Sequence, residues 1–586
     1  MKERRSRHGK PAANKGARAP ADTRTPPIKV CCILDAFSYE IFKYECQLVQ
    51  LSLTGWRRQI DAVKPDFVFV ESAWAGPNNE WKGKLASSRE AGDDIRALVR
   101  YCKEKGIPTV FWGKEDPADY KLFIHTAKLF DHIFTTDADS IPLYRRDAGH
   151  DRVSLLPFAA QPVIHNPINS VPFAQRAEIA FSGTWYGSKF PERNRDMTTM
   201  LRAAKPFGLH IFDRFHGSGR SAFEFPSQFQ RFIIGSLPYH EMVKAYKQYK
   251  VFLNINTVKT SPSMFSRRVF ELLASGTNIV SNYSKGIDTY FKGLVPMCST
   301  EEEAGRQLSI LLHSPEYSKR LGLQGLRAVH SGHLCRHRLQ TIMEKVLPHK
   351  RLASADDAVS VVVITNKASY MQNVFDNYGK QAWPNKEMIV VLNNDSMDIS
   401  EWRTKARRYP GVSVYQLAEK ISLGSCLNFA VRQAKHPIVA KFDHDDYYGP
   451  FYLTDTMHAF AYSGADIVGK LCHYSYLEGI GALVERFPDK EHQFADLLAG
   501  GTLTIKKRVF EKVRFADVNV NEITKFIRDS LAKGYKAYSA DKYNYVYIRK
   551  ADLREHSWKY DEQRLLAENK SSIAFFTKDY ATHVTV

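Results

Sequence analysis

The stretch KFDHDDYYG, Lys441 to Gly449, sets three carboxylates and an imidazole into four positions directly after the apolar run Pro437–Ala440. Carboxylates this close raise one another's pKa unless a cation stands among them. Hard oxygen ligands suit Mg2+ or Mn2+, ions that share their coordination with substrate phosphates. An EF-hand loop counted from Asp443 fails, because Tyr447 stands where an oxygen ligand is needed and Tyr448 replaces the glycine. An acidic N-cap for a helix over 451–460 would use Asp446 and leave two aspartates unexplained. Asp443 and Asp445 are therefore expected to hold a divalent cation.

A second chemistry is written in Ser261–Gly276, SPSMFSRRVFELLASG, a loop running into a helix. A helix N-terminus offers backbone N–H groups and a positive dipole end to an anion, and Arg267 and Arg268 add charge there. Upstream, Phe181-Ser-Gly-Thr184 is a strand-to-turn element in which Gly183 permits close backbone approach to a diphosphate. In Lys114-Glu115-Asp116-Pro117, Asp116 reads as an N-cap with proline at the first helical position. Glu115 is then the candidate catalytic group facing an interdomain cleft, with Asp35 and Glu71, each near a strand end, as further candidates.

These groups need elements to carry them. From Ile28 onward, short apolar runs alternate with amphipathic segments: strands at 28–34, 66–71, 109–112, 132–135 and 153–155, with helices at 89–105 and 118–130 between them. A second series has strands at 178–182, 209–212, 251–255 and 277–281. A third has strands at 360–365, 387–392, 412–415 and 438–442. Strands alternating with helical crossovers predict parallel, doubly wound α/β sheets, whose ligands bind at the carboxyl ends of the strands. Asp443–Asp446 stand at such an end. The predicted division is a disordered basic arm (1–27), two Rossmann-like units (28–175 and 176–347), a linker (348–358), a third unit (359–560), and a C-terminal helix with a poorly defined tail (561–586).

The chain of 586 residues exceeds one core, and its 44% hydrophobic, 12% aromatic composition is that of a globular protein. Eight scattered cysteines show neither zinc spacing nor a disulfide framework, which points to a reducing cytoplasm. No apolar run approaches the ~18 residues of a membrane span, and the basic N-terminus lacks the apolar core of a secretory signal. The net charge of +20 suits phosphorylated ligands or peripheral contact with an anionic membrane, such as the inner face of a plasma membrane. Nucleic acid is not expected, since zinc-finger and RRM-type signatures are absent.

Residues 360–396, with Leu423-Gly-Ser-Cys-Leu-Asn428 and Asp443-His-Asp-Asp446, resemble family-2 glycosyltransferases of the GT-A fold over roughly 200 residues. The resemblance implies that Asp443 and Asp445 are the D-x-D pair that holds Mn2+ or Mg2+ against a nucleotide-sugar diphosphate. It implies that Thr365 and Asn393 contact the nucleotide, although relatives usually carry aspartate at the latter place. Inverting relatives place a carboxylate base in an E-D pair before an acceptor-side helix. Here that place is Asn521-Glu522, so Glu522 is the expected base, with Asp517 and Asp529 in reserve. His556, in Arg554–Trp558, matches a late histidine metal ligand.

Residues 28–345 resemble spore maturation protein-like (CgeB-type) glycosyltransferases of the GT-B group, most tellingly through Ser261–Gly276. That resemblance implies that Glu271 binds ribose hydroxyls. Many retaining relatives have a second glutamate eight positions earlier, where Ser263 stands. The expectation is a chain of two transferase modules, each taking a nucleotide-diphosphate sugar and passing its sugar to a growing glycan, glycolipid or glycoprotein. The alternative is one catalytic module and one degenerate module kept for binding or scaffolding.

Overall fold

The computed structural model describes residues 28–219, 221–352, 357–552, 562–567 and 571–586. The first sheet is built from strands such as KVCCI, FVFVE and TVFWG, apolar along their whole length because both faces are covered. Its six parallel strands run in the order Gln47–Gln50, Lys29–Ile33, Phe67–Glu71, Thr109–Gly113, His132–Thr135, Val153–Leu155. The order reverses between Lys29–Ile33 and Phe67–Glu71, and a crevice opens at the carboxyl ends of strands flanking such a reversal. One face is closed by its own helices. The other is closed partly by Cys335, Leu339, Ile342 and Met343, from the helix Cys335–Val346. The last helix of the second series thus returns to the first sheet, a partnership that sequence periodicity did not reveal.

The second sheet is also parallel, ordered Met297–Cys298, Asn278–Asn282, Tyr249–Asn254, Ala177–Gly183, Leu209–Asp213, Ile233–Gly235, with its reversal beside Ala177–Gly183. The third begins with four parallel strands, Val412–Leu417, Lys386–Asn393, Val359–Thr365 and Ile438–Asp443. It continues antiparallel through Thr504–Lys506, which pairs with Ile438–Asp443. Its reversal falls between Val359–Thr365 and Ile438–Asp443, where Ile364 lies opposite Asp443.

Every strand expected from the sequence is present, within a residue or two at its ends. A fourth sheet, ordered Tyr447–Tyr448, Tyr545–Arg549, His473–Leu477, Ala482–Arg486, Ser571–Phe576, was not expected. It corrects the reading of the C-terminus as a helix and tail, because Ser571–Phe576 pairs antiparallel with Ala482–Arg486. Among the described residues, no helix is long and apolar enough to cross a membrane.

Candidate active sites

Lys441 and Asp443 point the same way from one strand, two residues apart, and the Lys441 ammonium binds Asp443 Oδ1. Asp443 N–H donates to the Tyr448 hydroxyl at 2.8 Å, and that hydroxyl donates to Gly501 O at 2.6 Å. Asp446 does not cap a helix. The following helix, Tyr452–Ser463, is preceded by Phe451, while Asp446 is buried and accepts from Tyr545 OH at 2.6 Å and Ile548 N–H at 3.1 Å. Burial, with Asp445 and Asp443 alongside, raises its pKa well above the usual carboxylate range. Asn373 and Asn377 secure the backbone of this loop by donating to the carbonyls of His444 and Asp446.

Gly501 shows how closely the arrangement is packed. A Cβ added there would lie 2.8 Å from Asp443 Oδ2, 2.7 Å from Asp446 Oδ2 and 2.6 Å from Tyr545 OH. Two carboxylate oxygens and a hydroxyl are thus packed against Gly501, where no side chain fits, and Asp445, half-buried, has no hydrogen-bond partner among the described residues. Asp443 and Asp445, with one ammonium between the strand and the loop, fit a divalent cation. The tightest group of ligand types among the described residues is elsewhere: atoms of Cys472, Glu485 and Glu491 lie within 4.8 Å of one another. That group already has its cations, since Lys542 Nζ stands 2.8 Å from Glu485 and Lys319 Nζ 3.3 Å from Glu491, and burial keeps the Cys472 thiol protonated.

Glu522 opens the helix Glu522–Ala532 and is buried. Its pKa is raised, first by burial and also by Asp443, with Lys441 acting in the opposite sense. Glu522 therefore shares the electrostatic neighbourhood of Asp443. The reserve candidates do not: Asp517 accepts the Ser422 and Ser425 hydroxyls, and Asp529 pairs with Arg528 on an exposed face. Thr365 and Asn393 lie on the same rim, with their side chains engaged in shaping it. Thr365 Oγ1 bridges the Lys367 N–H and carbonyl at 3.2 Å each, and Asn393 Nδ2 donates to Ala418 O at 2.9 Å. His556 lies outside the described residues.

In the first half of the chain, Lys114 reaches Asp35 at 2.9 Å and Glu71 at 3.0 Å, with Glu115 at 3.9 Å. The strand reversal gathers all four at one crevice. Burial raises the carboxyl pKa of Glu71 and Glu115 against the pull of Lys114. Glu71 Oε2 is buried without a hydrogen-bond partner. Asp116 is not an N-cap, because the next helix starts at Tyr120 after Asp119. It lies beneath the crevice, accepting from Thr135 Oγ1 at 2.6 Å and Tyr144 OH at 3.1 Å, and burial pushes it up to about 7.

Across the cleft, Glu271 is fully buried, with Arg267 at 2.6 Å and bonds from Tyr239 OH at 2.8 Å and Tyr246 OH at 2.9 Å. Both its oxygens are engaged within the protein. Arg267 also covers the Phe37 ring, 4.3 Å from its centroid, and so spans the two units. Ser263 is a stitch across the same cleft: its hydroxyl donates to Thr136 O at 2.9 Å and accepts Ala138 N–H at 2.9 Å.

Gly183 ends its strand beside a cluster of arginines. Arg268 donates to Ser182 O, and Arg193 donates to Thr184 O at 2.9 Å. Burial, with Arg268 and Arg214 nearby, lowers the Arg193 guanidinium to about 10. Among the described residues none of these three arginines has a carboxylate partner, and Arg268 Nε is buried without a bond. An anion would satisfy them. Sequence reasoning missed Arg193 and Arg214, which sit in no motif. Lys441 was legible in the opening stretch by its two-residue spacing from Asp443, and Gly501 only as half of a glycine pair.

Carboxylates gather at strand ends in one module and arginines in another, and each module contains a region that matches a glycosyltransferase family model. Residues 195–344 match the family model described as Glycosyl transferase-like, and residues 360–498 match Glycosyl transferase family 2. An uncharacterized glycosyltransferase of Rickettsia typhi is 26% identical over 175 residues, 27% of this chain and 53% of its own length. Another, of Rickettsia felis, is 33% identical over 93 residues, 16% of this chain and 15% of its own. The chain therefore spans about half the length of the first relative and less of the second. Among solved structures, S. aureus TarS 1–349 in complex with UDP-GlcNAc is 18% identical, covering 35% of this chain and 63% of that one, with a TM-score of 0.29. The mannosyltransferase PcManGT from Pyrobaculum calidifontis, in complex with GDP-Man and Mn2+, is 19% identical over 33% of this chain and 57% of that one, with a TM-score of 0.27.

Proposed function

We propose that the chain is a bifunctional glycosyltransferase whose C-terminal module transfers a sugar from a nucleotide-diphosphate donor, with inversion, to a hydroxyl of a growing glycan, glycolipid or glycoprotein. The observation that carries this reading is the pair Asp443 and Asp445 at the end of the strand Ile438–Asp443, Asp445 having no hydrogen-bond partner among the described residues, with Glu522 in the field of Asp443. The acceptor oxygen attacks the anomeric carbon while Glu522 takes its proton. The bond from that carbon to the diphosphate breaks, and its electron pair stays on the diphosphate. Asp443 and Asp445 would hold Mn2+ or Mg2+, which neutralises charge on the departing group. Lys441 holds Asp443 in place. In the N-terminal module, Arg193, Arg214, Arg267 and Arg268 receive the donor diphosphate beside Gly183, and Glu115 faces the acceptor from the opposite unit.

Glu522→Gln in the full chain should lower the C-terminal kcat about 10²–10⁴-fold and leave the nucleotide Kd unchanged. EDTA should abolish the same reaction. Because the base works ionised and its pKa is raised, the wild-type rate should fall as pH drops through a midpoint above the usual glutamate range, and the variant should lack that limb. A variant rate within about threefold of wild type would remove Glu522 from the mechanism.

A second reading of the N-terminal module has its own support. Glu271 is sealed inside an ion pair, and Ser263 is spent joining the two units. A module so built binds a nucleotide sugar or glycan without turning it over, and serves the C-terminal reaction as a scaffold.

A further inference from the structure

The segment that delivers Glu522 is fastened to a helix other than the one it begins. Residues 515–519 run along the first turns of the helix Leu423–Gln433. Asn428 Nδ2 donates to Phe515 O at 2.8 Å, and Asn428 Oδ1 accepts Phe515 N–H at 3.1 Å, so one amide grips one residue's backbone twice. Gly424 N–H donates to Val518 O at 3.1 Å. A Cβ at Gly424 would come within 1.7 Å of Ala516 O, so any side chain there would lift the segment away. Ser422 and Ser425 both donate to Asp517 Oδ1, and Leu423 N–H donates to Asn519 Oδ1 at 2.8 Å. Positions 424, 425 and 428 share one helical face.

Phe515 is buried, but beyond it the segment offers no buried apolar side chain: Val518 is 41% exposed and Val520 is 56% exposed, so from Ala516 to Asn519 the polar anchors carry the attachment. The anchored Phe515 also stacks on Phe526 of the Glu522 helix, with ring centroids 4.4 Å apart and an interplanar angle of 25°. Asn521, at φ 65°, then turns the chain so that Glu522 enters the site.

We propose that Asn428 is a positioning residue for the C-terminal reaction, holding Glu522 against Asp443 and Lys441 through Phe515, with Gly424 and the serine–Asp517 contacts as companions. The inference rests on Glu522 being the base. A general base must lie within about 3.2 Å of the proton it takes, and a misplacement of about 1 Å costs on the order of 10² in rate.

The test uses the full chain as Asn428→Ala, Glu522→Gln and the double variant, with kcat and nucleotide Kd measured for each. Asn428→Ala should lower kcat about 10–10²-fold with Kd within about twofold. Asn428→Asp, which keeps the acceptor for Phe515 N–H, should recover part of the loss. The double variant should be no slower than Glu522→Gln alone, because no base is left to position. If Glu522→Gln is itself near wild type, the base reading fails. If Glu522→Gln is slow but folded Asn428→Ala runs at the wild-type rate, or slows both backgrounds by the same factor, the positioning inference is overturned and the base stands. Should Asn428→Ala lose its thermal unfolding transition, Asp517→Asn provides the same cycle from an exposed site, with a smaller loss expected and the same overturning results.

Discussion

Burial alone would push the Glu271 carboxyl up, yet Arg267, with His165, Tyr239 and Tyr246 behind it, holds the group at about 2. A carboxylate drawn below its unfolded value contributes stability that is present above that value, 4.5 here, and is lost as pH falls through about 2. Glu271→Ala strands Arg267 inside the protein, a change that costs about 3–5 kcal/mol. The thermal midpoint of the full chain, or of its first transition, should fall by several degrees at neutral pH. Glu271→Gln keeps acceptors for the tyrosines and should fall less. An unchanged midpoint in the alanine variant would show that the pair does not hold this unit together. The sequence marks Glu271 as a helix-borne carboxylate four residues from Arg267. It does not show that Tyr239, from another helix, closes over it.

At the scale of elements, the carboxylate cluster depends on the short turn Gly500–Thr502, which wedges between the end of Ile438–Asp443 and the strand Tyr545–Arg549. Gly501→Ala would set a methyl within 2.8 Å of both Asp443 Oδ2 and Asp446 Oδ2. Mn2+ affinity of the full chain should drop by roughly tenfold or more, with little change in the unfolding midpoint, as expected when carboxylate ligands are displaced. Titration with Mn2+ measures it, and wild-type affinity in the variant would mean that Asp443 does not hold the cation. Local sequence identified the strand end and its aspartates, because a strand buried on both faces reads as an unbroken apolar run. It read Asp116 as a helix cap and allowed the same role to Asp446. Both are buried acceptors whose donors, Tyr545, Thr135 and Tyr144, lie 19 to 99 residues away.

Across the whole molecule, the modules are joined by more than the segment between them. Arg327, on the helix Pro315–Gly332, makes a two-pronged pair with Asp455 at 2.8 Å for each bond, and Asn544 donates to the same carboxylate at 3.0 Å. The imidazoles of His330 and His458, both buried, lie 5.2 Å apart at the same junction. Arg327→Met should destabilise the full chain by about 3–5 kcal/mol, because it leaves Asp455 buried without its cation. Differential unfolding should show the loss in the transition of the C-terminal module, and an unshifted transition would make the junction incidental. The sequence by itself determined the parallel sheets, the order of the units, the aspartates at a strand end and the arginines at a helix start. Each of these is written in residue type and short-range spacing. Only the tertiary structure decided that Glu271 is sealed, that Ser263 joins the two units, that unpaired Arg193 and Arg214 belong with Arg268, and that Asn428 anchors the segment leading to Glu522. Those roles arise from contacts between residues far apart in the chain, and the local pattern that sets a helix or a strand carries no record of them.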